Sequence, residues 1–117
     1  MMFRDRVRQI VPNRAKTWLR RLSARRDILP VILIYHRVAD VKSDPWGLAV
    51  SPANFRDQMR MLGEQHLCIS LGDLVQALAG GRLPAGKVCI TFDDGYSDNL
   101  LNAKPILEEC AIPATFF

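Results

Sequence analysis

The chain reads as an α/β fold built on a parallel sheet, and three observations predict it. Strand-patterned and helix-patterned segments alternate along the sequence, which implies parallel strands joined by right-handed crossovers. Val31-Ile32-Leu33-Ile34 and Val88-Cys89-Ile90-Thr91-Phe92 are apolar on both faces, as in strands covered from both sides. The second runs directly into Asp93-Asp94-Gly95, so carboxylates gather at the strand end where α/β folds place their chemistry.

The chain divides in two by charge. Residues 1–26 hold nine Lys or Arg against one acid, a net +8, while the remainder holds seven bases against eleven acids, a net −4. The basic part, residues 1–27, carries Phe3, Val7, Ile10, Val11, Trp18, Leu19 and Leu22 at helical spacing between arginines, with Pro12 breaking it or starting a second helix. It lacks the apolar core of a secretory signal. Residues 1–26 are expected to meet an anionic membrane surface or an acidic partner, or to pack as a leader helix. No nucleic-acid motif accompanies the charge, so no nucleic-acid partner is expected. No stretch approaches a membrane span. With Cys68, Cys89 and Cys110 in apolar surroundings and at no metal-binding spacing, three buried free thiols are expected. They favour a reducing compartment, and the predicted location is cytoplasmic or membrane-peripheral.

Residues 28–117 form the domain. Ile28 to Tyr35 is the first strand and ends at His36, which can line the same mouth as Asp93 and Asp94. Residues 37–50 read as a loop in which Trp46 anchors by packing or stacks on a sugar ring. Ser51-Pro52 opens a helix, with serine as the cap and proline in the first turn. Phe55, Met59 and Leu62 are its inward stripe, and His66 closes it. Leu67-Cys68-Ile69 is a short strand. Ser70 with Asp73 resembles a capping box for a helix through Leu74, Val75 and Leu78 that ends at Gly80-Gly81. After the central strand, Ser97 is placed to cap a helix to about Cys110. Its core side is Leu100, Leu101, Ile106 and Leu107, with a kink at Pro105. Ala114 begins the next strand.

Strand side chains alternate, so Asp93 and Asp94 view one crevice from different angles. Gly95 tolerates positive φ and admits a close neighbour. The bland alternative is a turn whose aspartates cap the following helix.

Thr91-Phe92-Asp93-Asp94-Gly95-Tyr96 resembles the first motif of the polysaccharide deacetylase family, the NodB-homology or carbohydrate esterase 4 domain. Leu33-Ile34-Tyr35-His36-Arg37-Val38 and Phe55-Arg56-Asp57-Gln58-Met59 resemble segments that precede it. Ala103-Lys104-Pro105-Ile106-Leu107 and Ile112 to Phe117 look like the helix and strand that follow. The resemblance implies a parallel (β/α) barrel of which only the first βα units lie within these 117 residues. It also implies metal-dependent removal of acetyl groups from a polysaccharide or lipid-linked sugar, with an acetylated glycan as substrate. Asp93 matches the family's catalytic base and Asp94 its metal ligand, while His36, Gly95 and Tyr96 are site-lining candidates. The metal would be divalent, zinc by the usual chemistry of such sites. The family's His-(Ser/Thr)-x-x-His motif is not in the chain. Residues 1–117 are therefore expected to be an inactive N-terminal part of a longer protein. Two other classes fit the bare pattern: a magnesium-binding receiver-like or phosphoryl-transfer domain, and a non-catalytic membrane-peripheral interaction module.

Overall fold

A computed structural model describes residues 29–117. The basic segment 1–27, with the surface contacts expected of it, lies outside the described residues. Among those described, the chain runs β1 (Val31–Tyr35), β2 (Arg37–Val38), β3 (Ala49–Val50), α1 (Pro52–Glu64) and α2 (Leu71–Ala79). It continues through β4 (Val88–Phe92) and a π-helical turn (Asn99–Ala103) that passes into α3 (Lys104–Glu109), then β5 (Ala114–Phe116).

β1, β4 and β5 make one parallel sheet in the order β1-β4-β5. Val31 pairs with Val88, Tyr35 with Phe92, and Phe92 with Phe116, so the three carboxyl ends meet at one edge. The expected parallel α/β architecture is present; the sheet is open among the described residues. One face carries Leu33, Tyr35, Val88, Ile90 and Phe92 into a core with Phe55, Met59 and Leu62 of α1 and Ile106 and Leu107 of α3. Each large side chain buried there contributes roughly 1.5–3 kcal/mol. Four aromatic rings close the core near the sheet's carboxyl edge. Tyr35 meets Phe55 edge-on at 5.1 Å, and Phe92 stacks on Phe116 at 4.7 Å. The Tyr35 hydroxyl donates to Gln58 Oε1 at 2.8 Å, and burial, followed by the neighbouring Cys68, pushes its phenol well above the ordinary range.

α1 begins as the sequence predicts. The Ser51 hydroxyl accepts the Asn54 N–H at 3.1 Å, with Pro52 in the first turn. It ends at Glu64, not at His66 as expected; His66 lies in the turn that follows, takes a left-handed φ of +52° and is exposed. Ser70 caps α2 by accepting the Asp73 N–H at 3.0 Å, half of the expected reciprocal box. A Cβ on Gly63 would lie 3.2 Å from the Cys110 carbonyl oxygen, so glycine lets α1 approach the end of α3.

Several expectations are corrected. β1 is not buried on both faces: Ile32 is 50% and Ile34 58% exposed, whereas every residue of β4 is buried. β4 has a strand on each side, while β1 pairs with β4 alone among the described strands. The 37–50 loop contains the short parallel pair β2–β3, and Trp46 is not packed but 83% exposed. Leu67 to Ile69 contributes a single bridge, Cys68 to Val88. In α2 only Leu74 is buried. Cys89 is buried, whereas Cys68 and Cys110 are half-buried. Ser97 is itself helical rather than a cap.

The last helix also turns a different side inward. Asn99, Ala103, Ile106 and Leu107 are buried, and Leu100 and Leu101 are 63% and 69% exposed. The bend expected at Pro105 takes the form of the π-helical turn before it. Proline has no N–H to give to the preceding turn, and a wider turn accommodates that loss.

Candidate active site

The ladder of the central strand continues one step past its end. The Asp93 N–H donates to the Tyr35 carbonyl at 2.9 Å, and the Phe117 N–H to that of Phe92 at 2.9 Å. The chain then turns sharply, with Asp94 at φ +74° and Gly95 at φ +60°. A left-handed conformation costs a non-glycine residue about 1–2 kcal/mol, and such strain concentrates at functional turns. A Cβ on Gly95 would meet nothing within 4 Å, so the backbone angle rather than crowding calls for glycine there.

Asp93 is half-buried and Asp94 exposed, and among the described residues neither carboxylate accepts a hydrogen bond. His36, from the exit of β1, brings Nε2 to 4.0 Å from Asp94 Oδ2. The structure thus gathers three sequence candidates, His36, Asp93 and Asp94, at the carboxyl edge of the sheet. Tyr96 stands at the rim, 37% exposed, with the Arg37 guanidinium 4.8 Å above its ring. His66 is at the other end, where its carbonyl accepts Lys87 Nζ at 2.8 Å just before β4 begins.

The sequence reading missed a set of polar residues beneath this turn. Asp98 is 7% exposed, and both its oxygens are occupied. Oδ2 accepts Arg37 Nε and is 3.1 Å from the second guanidinium nitrogen. Oδ1 accepts the Val38 N–H at 2.8 Å and Asn99 Nδ2 at 3.3 Å. Asn99 Nδ2 also donates to the His36 carbonyl at 2.9 Å, and Asn102 Nδ2 to the Val38 carbonyl at 2.8 Å. Three side chains of one helical stretch therefore grip the backbone of His36–Val38. The available signal was polar residues at positions i, i+1 and i+4 of a buried helical face, which the leucine pair Leu100-Leu101 outweighed.

A metal requires donors that are free. Asp94 and His36 offer one carboxylate and one imidazole, donor types that zinc takes, but a catalytic zinc has about three protein ligands. Among the described residues no group of three His, Cys, Asp or Glu could hold an ion. Asp98 is saturated by its own donors. The cysteines stay thiols: burial pushes Cys68 up to about 11 and raises Cys89 and Cys110 as well. Asp94 with His36 therefore fits part of a zinc site.

The chain is similar to known proteins. A family model described as polysaccharide deacetylase matches residues 80–117, the stretch holding the carboxylate turn. The poly-beta-1,6-N-acetyl-D-glucosamine N-deacetylase of Escherichia coli is 32% identical over 88 residues, covering 74% of this chain and 13% of that protein. The polysaccharide deacetylase YxkH of Bacillus subtilis, so named provisionally, is 37% identical over 90 residues, covering 74% of this chain and 30% of its own. Among solved structures, the Streptococcus pyogenes deacetylase PplD in complex with acetate is 30% identical with a TM-score of 0.65, covering 77% of this chain and 42% of that one. IcaB from Ammonifex degensii is 31% identical with a TM-score of 0.64, covering 77% and 38%. The chain thus spans less than a third of the curated relatives it matches.

Proposed function

The chain belongs to the polysaccharide deacetylase family, and on that premise we propose that the full-length protein hydrolyses acetyl groups from an acetylated polysaccharide or lipid-linked sugar. The observation that carries this reading is the Asp93–Asp94 turn. Two carboxylates that accept no hydrogen bond among the described residues, one beside an imidazole, stand at the carboxyl edge of a parallel sheet. Asp93 is the base that takes the proton of the attacking water. Asp94, with His36 next to it, holds a divalent metal, zinc by donor type. A metal bound there supplies Lewis acidity toward the acetyl carbonyl. Tyr96 and Gly95 line the mouth, and the sheet belongs to a (β/α) barrel completed by further strands. The 117-residue piece alone carries part of the site and is without activity by this reading. The receiver-like alternative has no support in the relatives described above. It also calls for a third free acid near the pair, and Asp98, the nearest candidate, is engaged on both oxygens. The net charge of +8 on residues 1–26 keeps contact with an anionic surface within the proposal. No helix among the described residues is long and apolar enough to cross a membrane.

The test is acetate release from acetylated oligosaccharides by the full-length protein. Asp94→Ala is expected to lose metal. Asp93→Asn is expected to keep metal and lose about 10²–10⁴ in kcat, the usual contribution of a positioned base. Near-normal turnover by Asp93→Asn would refute the assigned roles.

A further inference from the structure

Asp98 stands 7% exposed, close to the turn that carries the two free carboxylates. Its four donor nitrogens come from three residues. The Val38 N–H and Asn99 Nδ2 tie it to the exit of β1 and to its own helix. Arg37 reaches it through Nε, with a second guanidinium nitrogen also at 3.1 Å. The same guanidinium lies 4.8 Å above the ring of Tyr96. Arg37 adjoins His36, whose imidazole is 4.0 Å from Asp94, and Tyr96 is two residues beyond Asp94. A long cation is thus rooted beside two anions that have no other hydrogen-bonding partner among the described residues. Opposite charges attract, the more so where water is partly excluded. A planar guanidinium is also built to grip a carboxylate with two donors. Unless something holds it elsewhere, Arg37 would close onto Asp93 or Asp94 and occupy the oxygens that the chemistry needs.

We propose that Asp98 is a positioning residue that keeps Arg37 docked on Tyr96 and off the Asp93–Asp94 pair, while fixing the β1 exit that brings His36 to Asp94. Asp98 acts through Arg37 and the backbone; it touches neither substrate nor metal. This inference rests on the deacetylase reading only for its kinetic consequence. Its geometric content, where the guanidinium sits, stands apart from activity. The arrangement also explains why an arginine can stand next to a site built from carboxylates: its charge is matched locally before it reaches them.

The experiment uses the full-length protein. Asp98→Asn keeps the shape but removes the charge, and it sets an amide against a donor. Crystal structures of wild type and Asp98→Asn are expected to show Arg37 moving from Tyr96 to Asp93 or Asp94. The Arg37 Nε–H resonance should shift with it. On acetylated oligosaccharide, kcat should fall about tenfold or more with KM little changed, because the reacting groups are blocked or displaced. Adding Arg37→Met to Asp98→Asn should recover most of that loss, since no cation is left to block the pair. A purely structural brace would show no such rescue, so an unrelieved loss overturns the proposal. Arg37 remaining over Tyr96 in Asp98→Asn overturns it as well. If wild type releases no acetate from any glycan, the deacetylase reading fails, and the two crystal structures alone decide this inference. Should Asp98→Asn not fold, Arg37→Lys carries the test: it keeps the charge and loses the Nε donor. The variant's ammonium is then expected to stay against Asp98, and its lying against Asp93 or Asp94 with the Asp98 carboxylate intact would overturn the proposal.

Discussion

Asp94 and Asp98 are four residues apart and live in opposite environments. Asp94 is exposed on a strained left-handed backbone, and among the described residues its carboxylate accepts no hydrogen bond and has a histidine 4.0 Å away. Asp98 is buried, helical and fully engaged by Arg37, Val38 and Asn99. The first residue has chemistry available and contributes little to holding the fold. The second contributes to the fold and has no chemistry to spare. The contrast teaches that a carboxylate's role here follows from how many donors already face it, not from its proximity to the motif.

The comparison breaks most visibly at Asp98. Asp98→Ala leaves the Val38 N–H and the Arg37 guanidinium without their acceptor. Losing one partner of a fully buried pair costs about 3–5 kcal/mol; Arg37 reaches water in part, so about 2–4 is expected here. Asp94→Gly should do the reverse. It relieves a positive φ worth about 1–2 kcal/mol and adds unfolded-state entropy of similar size. The expected stability is thus within about 1 kcal/mol of wild type, even as the proposed metal ligand is lost. Denaturant melts of both variants check this, and a larger loss from Asp94→Gly than from Asp98→Ala would invert the assignment.

Two smaller effects sharpen the same picture. Asn102→Ala removes the donor to the Val38 carbonyl and should cost about 1 kcal/mol, near the net worth of one hydrogen bond. Equilibrium unfolding measures it. Glu109 is the control, an acid bound by donors but on the surface. Hydrogen bonds from Arg60 and then Arg56 hold its carboxyl below the usual range. A depressed folded-state value means the contribution is present at neutral pH and lost as pH falls through the carboxylate range. Glu109→Gln should shift the melting temperature little at neutral pH and slightly flatten its decline in acid. Thermal melts between neutral and acidic pH show both.

Much of this protein was legible along the chain. The period of the apolar residues marks the parallel strands and the stripe Phe55, Met59 and Leu62. The caps at Ser51 and Ser70 follow from local hydrogen bonding, and the carboxylate turn from the end of an apolar run. These are short-range features, each decided within a few residues. What only the tertiary structure decided depends on partners far away in sequence. β1 and β4 look alike as sequences, yet one is exposed on a face because neighbours, not composition, set burial. The helix after the motif turns Asn99 inward and Leu100 and Leu101 outward because polar groups of the β1 exit, some sixty residues earlier, need its donors. A buried peptide group left unpaired costs about 1–3 kcal/mol, comparable to what one leucine gains by hiding, and this helix satisfies three such groups, the His36 and Val38 carbonyls and the Val38 N–H. Hydrophobic pattern alone cannot register that demand, since the groups making it come together only when the strands do.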